Sequence, residues 1–497
     1  MISLSGQRAL VLGRDPSGEA AVALLRRRGA DVAWQAADAE AVGGPVGWVP
    51  DLVVVSAGCT ASPPLARALA ARGTPVVAER ELAFQQAFCL HAAVTGAAGK
   101  STTAALIAHL LRGVGRRVEV ADAIDKPAST LVEGSRELDL IVHVVGPGEL
   151  DHFAFFRPVV GVLLNVASEA DAGGGTREQN VRRFGRLFAS QQAFDWAIVQ
   201  AGAMALCQAA GVVLPGKRIT FGAISRQADL GVERGLLVSR LEGWVGPLWD
   251  MERGHLQGPH FAENALAALA VGRVLRVALD EMTGALSEFR PGPGRGEELG
   301  EADGVRFVHD GRAGTLEAVA AALHTLAPTP PDEPFIWLIA GGDGGTRQFH
   351  DLGPVLSPRV KQAIVFGEAA PSMRAAWQLF TPCSTAPSLL DAANRAVEQA
   401  TRGDVILYSP ACPGAPGSSG PGRGTDPFRE VAVARVQTAA GTAGNTAAAA
   451  GSGRGADAPG APPIRMFRRP PFPPESEPWH RGHRASLSSQ TPIPHRS

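Results

Sequence analysis

The sequence has few cysteines, little lysine and no long apolar run. Its five cysteines are scattered, odd in number and never placed in a Cys-x-x-Cys pair. We therefore expect reduced thiols rather than a disulfide framework or a zinc site. No stretch of about 18 or more uninterrupted apolar residues occurs, and the N-terminus has no secretory signal pattern. These two observations predict a cytoplasmic protein without a membrane span.

Net charge and size narrow the class of protein further. The net charge of −1 gives no electrostatic argument for a nucleic acid or an anionic membrane as partner. The chain of 497 residues is too long for one hydrophobic core, and 45% of its residues are apolar. About three globular domains are therefore expected. Because lysine is scarce, Lys100 stands out.

A glycine-rich turn between residues 95 and 102 carries the strongest chemical signal. It follows an apolar strand from Leu90 and precedes a helix with apolar residues at helical spacing. Glycines let backbone N–H groups approach phosphate oxygens, and the helix N-terminus adds a favourable dipole. We expect Lys100 to reach the terminal phosphates and Ser101 to offer its hydroxyl to Mg²⁺. Val94 stands where the longer form of this loop has glycine, so this is the shorter version; the alternative is a glycine-rich connection without a ligand.

Strands and helices alternate on both sides of this turn, which is typical of α/β domains with parallel sheets. The first strand ends in a damaged dinucleotide fingerprint, in which Asp15 replaces the second glycine. NAD binding is therefore disfavoured. A Rossmann-like domain that holds another nucleotide-linked substrate is favoured instead. After about Val436 the composition becomes rich in Ala, Gly, Ser and Pro, which predicts disorder.

The motifs together resemble the Mur ligase family of peptidoglycan synthesis. The resemblance covers roughly residues 5–436, and within the family the spacing fits best the member that adds D-glutamate to UDP-N-acetylmuramoyl-L-alanine. The matching segments are Asp51-Leu52-Val53-Val54-Val55-Ser56-Ala57-Gly58, Thr95-Gly96-Ala97-Ala98-Gly99-Lys100-Ser101-Thr102, Leu164-Asn165-Val166, Gly258-Pro259-His260-Phe261-Ala262-Glu263-Asn264-Ala265, Asp310, Gly341-Gly342-Asp343-Gly344 and Ser409-Pro410-Ala411-Cys412.

This resemblance implies an ATP-dependent amide ligation in the cytoplasm by a monomer. ATP would phosphorylate the carboxylate of UDP-N-acetylmuramoyl-L-alanine, and the amine of D-glutamate would attack the acyl phosphate. It also implies four segments: a Rossmann-like UDP-sugar domain at 1–88, a central P-loop ATPase-like domain at 89–288, a C-terminal Rossmann-like closing domain at 289–436, and a disordered tail at 437–497.

The resemblance also assigns site residues. Lys100, His260 and Arg312 are the expected catalytic residues, and Ser101 is an expected Mg²⁺ ligand. Glu149 is the second expected Mg²⁺ ligand, as a replacement for the carboxylate that the family has at Val144; the alternatives are Asp151 or a solvated loop edge without a metal. The residues expected to bind ATP are Thr95, Gly96, Ala97, Ala98, Gly99, Lys100, Ser101, Thr102, Asn264, Arg295 and Asp310.

Several positions depart from the family pattern. Val144 stands where the family has a magnesium-binding Glu, Glu169-Ala170 where it has Asp-His, and Gly185 near the lysine that relatives carbamylate. Arg312 replaces a lysine and keeps the positive charge. A second hypothesis is therefore a relative that kept the fold and nucleotide binding but lost ligation, and a folylpolyglutamate-type substrate is also open.

Overall fold

The computed structural model describes ten ranges of the chain. They are residues 3–39, 49–59, 62–123, 125–166, 176–253, 258–326, 333–343, 349–412, 415–416 and 426–450. Three separate sheets run through these ranges, and each takes its strands from one stretch of the sequence. The strands are β1 (Arg8–Leu12), β2 (Asp31–Gln35), β3 (Leu52–Val55), β4 (Val76–Ala78), β5 (Leu90–Thr95), β6 (Val118–Ala121), β7 (Leu140–Val144), β8 (Val160–Leu163), β9 (Trp196–Gln200), β10 (Lys217–Gly222), β11 (Leu230–Glu233), β12 (Leu236–Ser239), β13 (Gly246–Asp250), β14 (Glu297–Ala302), β15 (Val305–His309), β16 (Ile336–Gly341), β17 (Val360–Phe366), β18 (Cys383–Thr385) and β19 (Val405–Tyr408).

Helices connect most of the parallel strands. They are α1 (Pro16–Arg27), α2 (Pro64–Ala70), α3 (Glu79–Gln86), α4 (Lys100–Gly113), α5 (Pro147–Leu150), α6 (Arg177–Gly185), α7 (Ala201–Ala209), α8 (Pro259–Val274), α9 (Leu279–Glu288), α10 (Leu316–Thr325), α11 (Gly353–Leu356), α12 (Ala370–Trp377), α13 (Leu389–Gln399) and α14 (Pro427–Ala450). Among the described residues, no helix is both long enough and apolar enough to cross a membrane.

The first sheet has the order β2-β1-β3-β4, and all of its pairings are parallel. Helix α1 starts where the side chain of Asp15 accepts a hydrogen bond from the backbone N–H of Gly18, at 2.9 Å. Asp15 is thus an N-cap, a role for which aspartate is favoured. A second oxygen of the same carboxylate accepts the hydroxyl of Ser56 at 2.6 Å. The two turns at the carboxyl ends of β1 and β3 are therefore joined through Asp15.

The second sheet has nine strands in the order β13-β12-β11-β10-β9-β8-β5-β7-β6. Strands β5 to β11 pair in parallel, whereas β12 and β13 add an antiparallel extension. The alternating faces of β5 pack against two cores: Ala92 and Val94 belong to the core with α4 and α8, and Ala93 to the core with α6 and α7. Because β5 lies inside the sheet, between β7 and β8, the turn that follows β5 lies at the sheet's carboxyl edge with a strand end on either side.

The third sheet has the order β14-β15-β19-β16-β17-β18, parallel except for the antiparallel strand β14. Helix α14 packs on it through Phe428 and Ala432, which are both buried. The helix continues past Val436, where we expected disorder to begin, to Ala450. Val436 contacts the strand at Gly300, and alanine, the commonest residue beyond it, has the highest helix propensity. The rest of the predicted tail lies outside the described residues.

Candidate nucleotide-binding site

The turn between β5 and α4 has the backbone shape that its glycines permit. Gly96 has φ 141° and Gly99 has φ 83°, values that residues with a side chain rarely adopt. Gly99 is the residue before the first turn of α4, so no side chain covers the helix N-terminus there. The exposed N–H groups of that first turn are what an anion needs.

Two asparagines hold this loop from either side. Asn165, which follows β8, accepts a hydrogen bond from the N–H of Ala98 at 2.9 Å and donates one to the carbonyl of Ala98 at 3.2 Å. On the other side, Asn264 of α8 accepts the hydroxyl of Thr103 at 3.1 Å. A Cβ on Gly99 would lie 2.7 Å from the Oδ1 of Asn264. The glycine is therefore needed for the close approach of α8 as well as for its φ angle.

Lys100 turns back over the loop. Its Nζ donates to the carbonyls of Gly96 and Ala97 at 2.8 and 2.9 Å. Its pKa is lowered to about 8, chiefly because the ammonium is shielded from water and next because Arg295 repels it. The charges of Glu149 and Glu317 raise the pKa of Lys100 and so oppose these two effects. Arg295 belongs to the segment before β14, so the charge of that segment acts on Lys100.

The third sheet contributes two arginines and a carboxyl group to this region. Arg312 donates to Asp125 at 2.6 Å, and Arg295 lies 3.8 Å from Asp122. The Arg312 side chain is only 12% exposed and that of Arg295 23%. Burial, followed by repulsion from Arg312, lowers the pKa of Arg295. Lys100 and these two arginines form a group of cations, which we call the cation cluster.

Asp310 lies beside this cluster at the carboxyl end of β15. Its oxygens accept the N–H of Gly296 at 3.1 Å and the hydroxyl of Ser409 at 2.9 Å. Burial raises its pKa to about 7, although both hydrogen bonds and Arg295 oppose that shift. A carboxyl group with this pKa is only partly ionised near neutral pH. Asp310 therefore supplies only part of a negative charge to the cation cluster near neutral pH.

The two predicted magnesium ligands, Glu149 and Ser101, lie in different surroundings. Glu149 is 3% exposed, and its Oε1 accepts the Nε of Arg80 at 2.6 Å. Its Oε2 accepts the N–H of Gly146 at 2.9 Å. Both carboxylate oxygens thus accept hydrogen bonds within the protein, and the role of Glu149 as a metal ligand stays a prediction. Val144 is a buried apolar side chain at the end of β7.

The other predicted metal ligand is only half-buried. Ser101 lies at the second position of α4, next to Thr102. Among the residues that the structure describes, no group of three or more His, Cys, Asp or Glu side chains is arranged to hold a metal ion. Glu169 lies outside the described residues. The part of the chain that is described therefore fits a polyphosphate but offers no built site for Mg²⁺.

His260 lies one helical turn before Asn264, at the start of α8. Its ring centroid is 5.8 Å from that of His324 in α10, and burial lowers its pKa. The residue therefore meets the third sheet's first helix at the junction beside the loop. Its predicted catalytic role stays a prediction.

Thr95, at the end of β5, stabilises the start of the loop. The hydroxyl of Thr95 donates to the carbonyl of Val145 at 3.1 Å, which ties the end of β5 to the end of β7. Sequence reasoning did not identify the partners of the charged side chains, namely Arg80, Asp122 and Asp125. No local motif marks them, because each meets its partner only when distant segments pack together.

Comparisons with known proteins agree with this arrangement. Residues 294–412 match the family described as "Mur ligase, glutamate ligase domain". A UDP-N-acetylmuramoylalanine–D-glutamate ligase from Pelotomaculum thermopropionicum is 31% identical over 73% of this chain and 79% of its own length. The ligase of the same name from Myxococcus xanthus is 30% identical over 83% of this chain and 94% of its own.

A solved structure supports the fold independently. The MurF ligase from Thermotoga maritima in complex with ADP is similar with a TM-score of 0.54 and 18% identity, covering 88% of this chain and 98% of its own. The predicted α/β architecture with three sheets is thereby confirmed. From the identity and coverage of these relatives, the chain is a member of the Mur ligase family.

Proposed function

We propose that this chain is an ATP-dependent ligase that joins D-glutamate to UDP-N-acetylmuramoyl-L-alanine. The observation that carries the proposal is the phosphate cradle between Gly96 and Lys100, in which Gly96 and Gly99 have positive φ and the Nζ of Lys100 lies over the loop carbonyls. The names of the relatives that cover most of this chain support the two substrates.

The residues of the cradle would bind and orient the nucleotide. The N–H groups of the first turn of α4 and the Nζ of Lys100 would hold phosphate oxygens, once Lys100 exchanges the loop carbonyls for them. Arg295 and Arg312 would neutralise charge on the phosphoryl group during transfer. When bound, ATP would supply the phosphoryl group that activates the substrate carboxylate, and the amine of D-glutamate would then displace phosphate.

Asn264 and Asp310 would complete the nucleotide site from opposite sides. Asn264 fixes the distance between α8 and the loop, which supports a role in setting the loop's shape. Asp310, held by Ser409 and Gly296, is a candidate acceptor for a hydroxyl group of the nucleotide. The contacts between the second and third sheets would help to keep water from the activated carboxylate.

The remaining expectations belong to the same proposal. We infer a cytoplasmic protein, since ATP and UDP-linked precursors are cytoplasmic metabolites, and the monomer that the family resemblance implies remains a prediction. The first sheet would hold the UDP-linked substrate, and the domain boundaries near 88, 288 and 436 remain predictions. Mg²⁺ also remains a prediction, and no step above depends on it.

Phosphate release by the purified protein tests the proposal. ATP is supplied with UDP-N-acetylmuramoyl-L-alanine and D-glutamate, added singly and together, and the amide product is followed by mass spectrometry. Release that requires both substrates, together with product of the expected mass, supports the ligase. Release with neither substrate present, or none with both, contradicts it.

A second candidate function is a nucleotide-binding relative without ligase activity. Both oxygens of Glu149, a predicted metal ligand, accept hydrogen bonds within the protein, and this observation favours the second candidate. This candidate predicts measurable ATP binding without phosphate release in the same assay.

A further inference from the structure

A cavity of about 430 Å³ lies between helix α2 and the chain segments that follow α5 and α6. Helix α2 leads from β3 to β4 of the first sheet, whereas α5 and α6 lie among the strands of the second sheet. The described residues that line the cavity include none of those predicted for the nucleotide site. Its volume is within the range of about 300–1,000 Å³ that small-molecule sites have. The cavity is therefore large enough for a ligand of its own.

The first-sheet wall of the cavity carries an arginine beside small apolar side chains. Arg67 lines the cavity from α2 and is exposed. Ala66, Ala70 and Val76 are the apolar lining residues of the same part of the chain. Within the described ranges, the Arg67 guanidinium has no hydrogen-bond or ion-pair partner. Its five N–H donors can therefore be directed at a ligand.

The second-sheet wall contains a buried imidazole. His152 lines the cavity and is 8% exposed. Its main chain is held in place, because the N–H of Ala78 donates to its carbonyl at 3.1 Å. Its Nε2 is buried and has no hydrogen-bond partner among the residues that the structure describes. Since a buried polar atom without a partner is destabilising, this imidazole is suited to a ligand that supplies one.

Arg186 and Asp151 complete the second-sheet wall. The Nη1 of Arg186 donates to the Asp151 carbonyl at 3.0 Å and lies 3.4 Å from the Oδ1 of the same residue. The other carboxylate oxygen of Asp151 lies 3.1 Å from the Nε of Arg183. The charge of Asp151 is therefore shared between two arginines on its own side of the cavity. In the described part of the chain, the Nε and Nη2 of Arg186 make no hydrogen bond, so they can serve a ligand.

We propose that this cavity binds a small organic phosphate, which Arg67, Arg186 and the Nε2–H of His152 hold from both walls. These donors belong to three separate chain segments, so they approach a ligand from different directions. A phosphate monoester offers three terminal oxygens to such a set, whereas a carboxylate offers two oxygens in one plane. The alanines of α2 and Val76 provide an apolar surface for a compact group attached to the phosphate. The site lies outside the proposed ligase chemistry and does not depend on it.

Isothermal titration of the full chain with phenyl phosphate, in a buffer without other phosphate, tests the proposal. Benzoate is the matched probe, because it carries the same ring with a planar carboxylate. We expect phenyl phosphate to bind and benzoate to bind about tenfold or more weakly. Phenyl phosphate should also raise the thermal midpoint, since it binds the folded chain. No detectable binding of phenyl phosphate, or equal affinities for the two probes, overturns the proposal.

Three variants locate the bound probe. Arg67→Met removes the guanidinium from an exposed position, so this variant should fold and bind phenyl phosphate about tenfold or more weakly. The matched control is Arg72→Met, which removes an exposed arginine just beyond α2 that is not among the lining residues. Arg72→Met and Lys100→Ala should both bind the probe as the wild-type chain does. Unchanged binding in Arg67→Met, an equal loss in Arg72→Met, or a loss in Lys100→Ala overturns the proposal.

Competition distinguishes this cavity from the site of the proposed UDP-linked substrate. We expect saturating UDP-N-acetylmuramoyl-L-alanine to leave the affinity for phenyl phosphate unchanged. Displacement of the probe by this compound overturns the separate site and assigns the cavity to the substrate. A failure of the ligase assay leaves the present proposal intact, because its readout is binding of the probe and not phosphate release.

Discussion

Arg80→Met should destabilise the protein more than any other single replacement of a charged residue that we consider. The Arg80 guanidinium and the Glu149 carboxylate are 1% and 3% exposed and meet at 2.6 Å. Removing one partner of such a pair leaves the other charge buried, which costs about 3–5 kcal/mol. The Nη1 of Arg80 also donates to the carbonyl of Ala121 at 3.1 Å, and this contact is lost as well.

The pH dependence gives this prediction a second test. Burial already raises the pKa of Glu149, and Arg80 opposes that shift. Without Arg80 the folded-state pKa should rise further above the unfolded value, so protonation favours the folded variant. The loss of stability should therefore shrink as the pH falls below the folded-state pKa, by up to about 1.4 kcal/mol for each pH unit.

Equilibrium urea unfolding, followed by tryptophan fluorescence, measures the effect. The matched control is Arg8→Met, which breaks an exposed pair with Asp51 at 2.9 Å and should change the stability far less than Arg80→Met does. Adding Glu149→Gln to Arg80→Met should recover part of the loss, with a coupling energy of about 2 kcal/mol. Equal effects of Arg80→Met and Arg8→Met, or strict additivity in the double variant, would refute the reasoning.

Three further predictions concern the loop, a buried histidine pair and the contact between sheets. Gly99→Ala should weaken ATP binding about tenfold or more, because residue 99 has a φ of 83° and its new Cβ would lie 2.7 Å from an amide oxygen of α8. The control Gly113→Ala, whose Cβ would make only ordinary contacts, should leave the ATP affinity unchanged. His91 and His143 are buried with ring nitrogens 2.8 Å apart, and burial lowers the pKa of His91 to about 4. This folded-state pKa is below the unfolded value, so about 3 kcal/mol of the free energy of unfolding is present above about pH 6.5 and is lost as the pH falls to about 4. Urea unfolding across that pH range would detect the loss, and a constant midpoint would contradict it. Asp125→Asn should raise ATP affinity about two- to fivefold by releasing an arginine of the third sheet, and a weaker affinity in titration would show that the pair instead holds the site together.

The elements that sequence reasoning found share a local cause. Apolar runs bounded by turn residues marked the parallel strands, and the apolar strand expected from Leu90 corresponds to β5 at Leu90–Thr95. The glycine-rich turn was identified because glycine is the residue type that readily adopts positive φ, and Gly96 and Gly99 both have positive φ. The antiparallel strands β12 and β13 were missed because short strands joined by tight turns have no flanking helix to mark them.

The parts that sequence reasoning could not supply depend on long-range packing. Glu149 was chosen as a metal ligand because it follows β7 near the loop. In the structure its carboxylate forms an ion pair with Arg80, which lies 69 positions away in the sequence. Likewise, Arg312 was singled out for its charge, but its partner Asp125 lies 187 positions away in the sequence. The residues next to Glu149 and Arg312 in the sequence do not indicate which partners these side chains have. The helix through Val436 was missed because alanine-rich composition resembles a linker until its apolar side meets the third sheet.

Direct titration of ATP into wild-type protein and into Lys100→Ala tests the central claim that this loop is a nucleotide site. We predict binding of one ATP by the wild-type chain and a loss of affinity of about tenfold or more in Lys100→Ala, since the hydrogen bond of a charged group contributes about 1.5–3 kcal/mol. Lys217→Ala removes an exposed lysine that lies over Trp196, away from the loop, and should bind ATP as the wild type does. Unchanged affinity in Lys100→Ala, or no ATP binding by the wild-type chain, would contradict the claim.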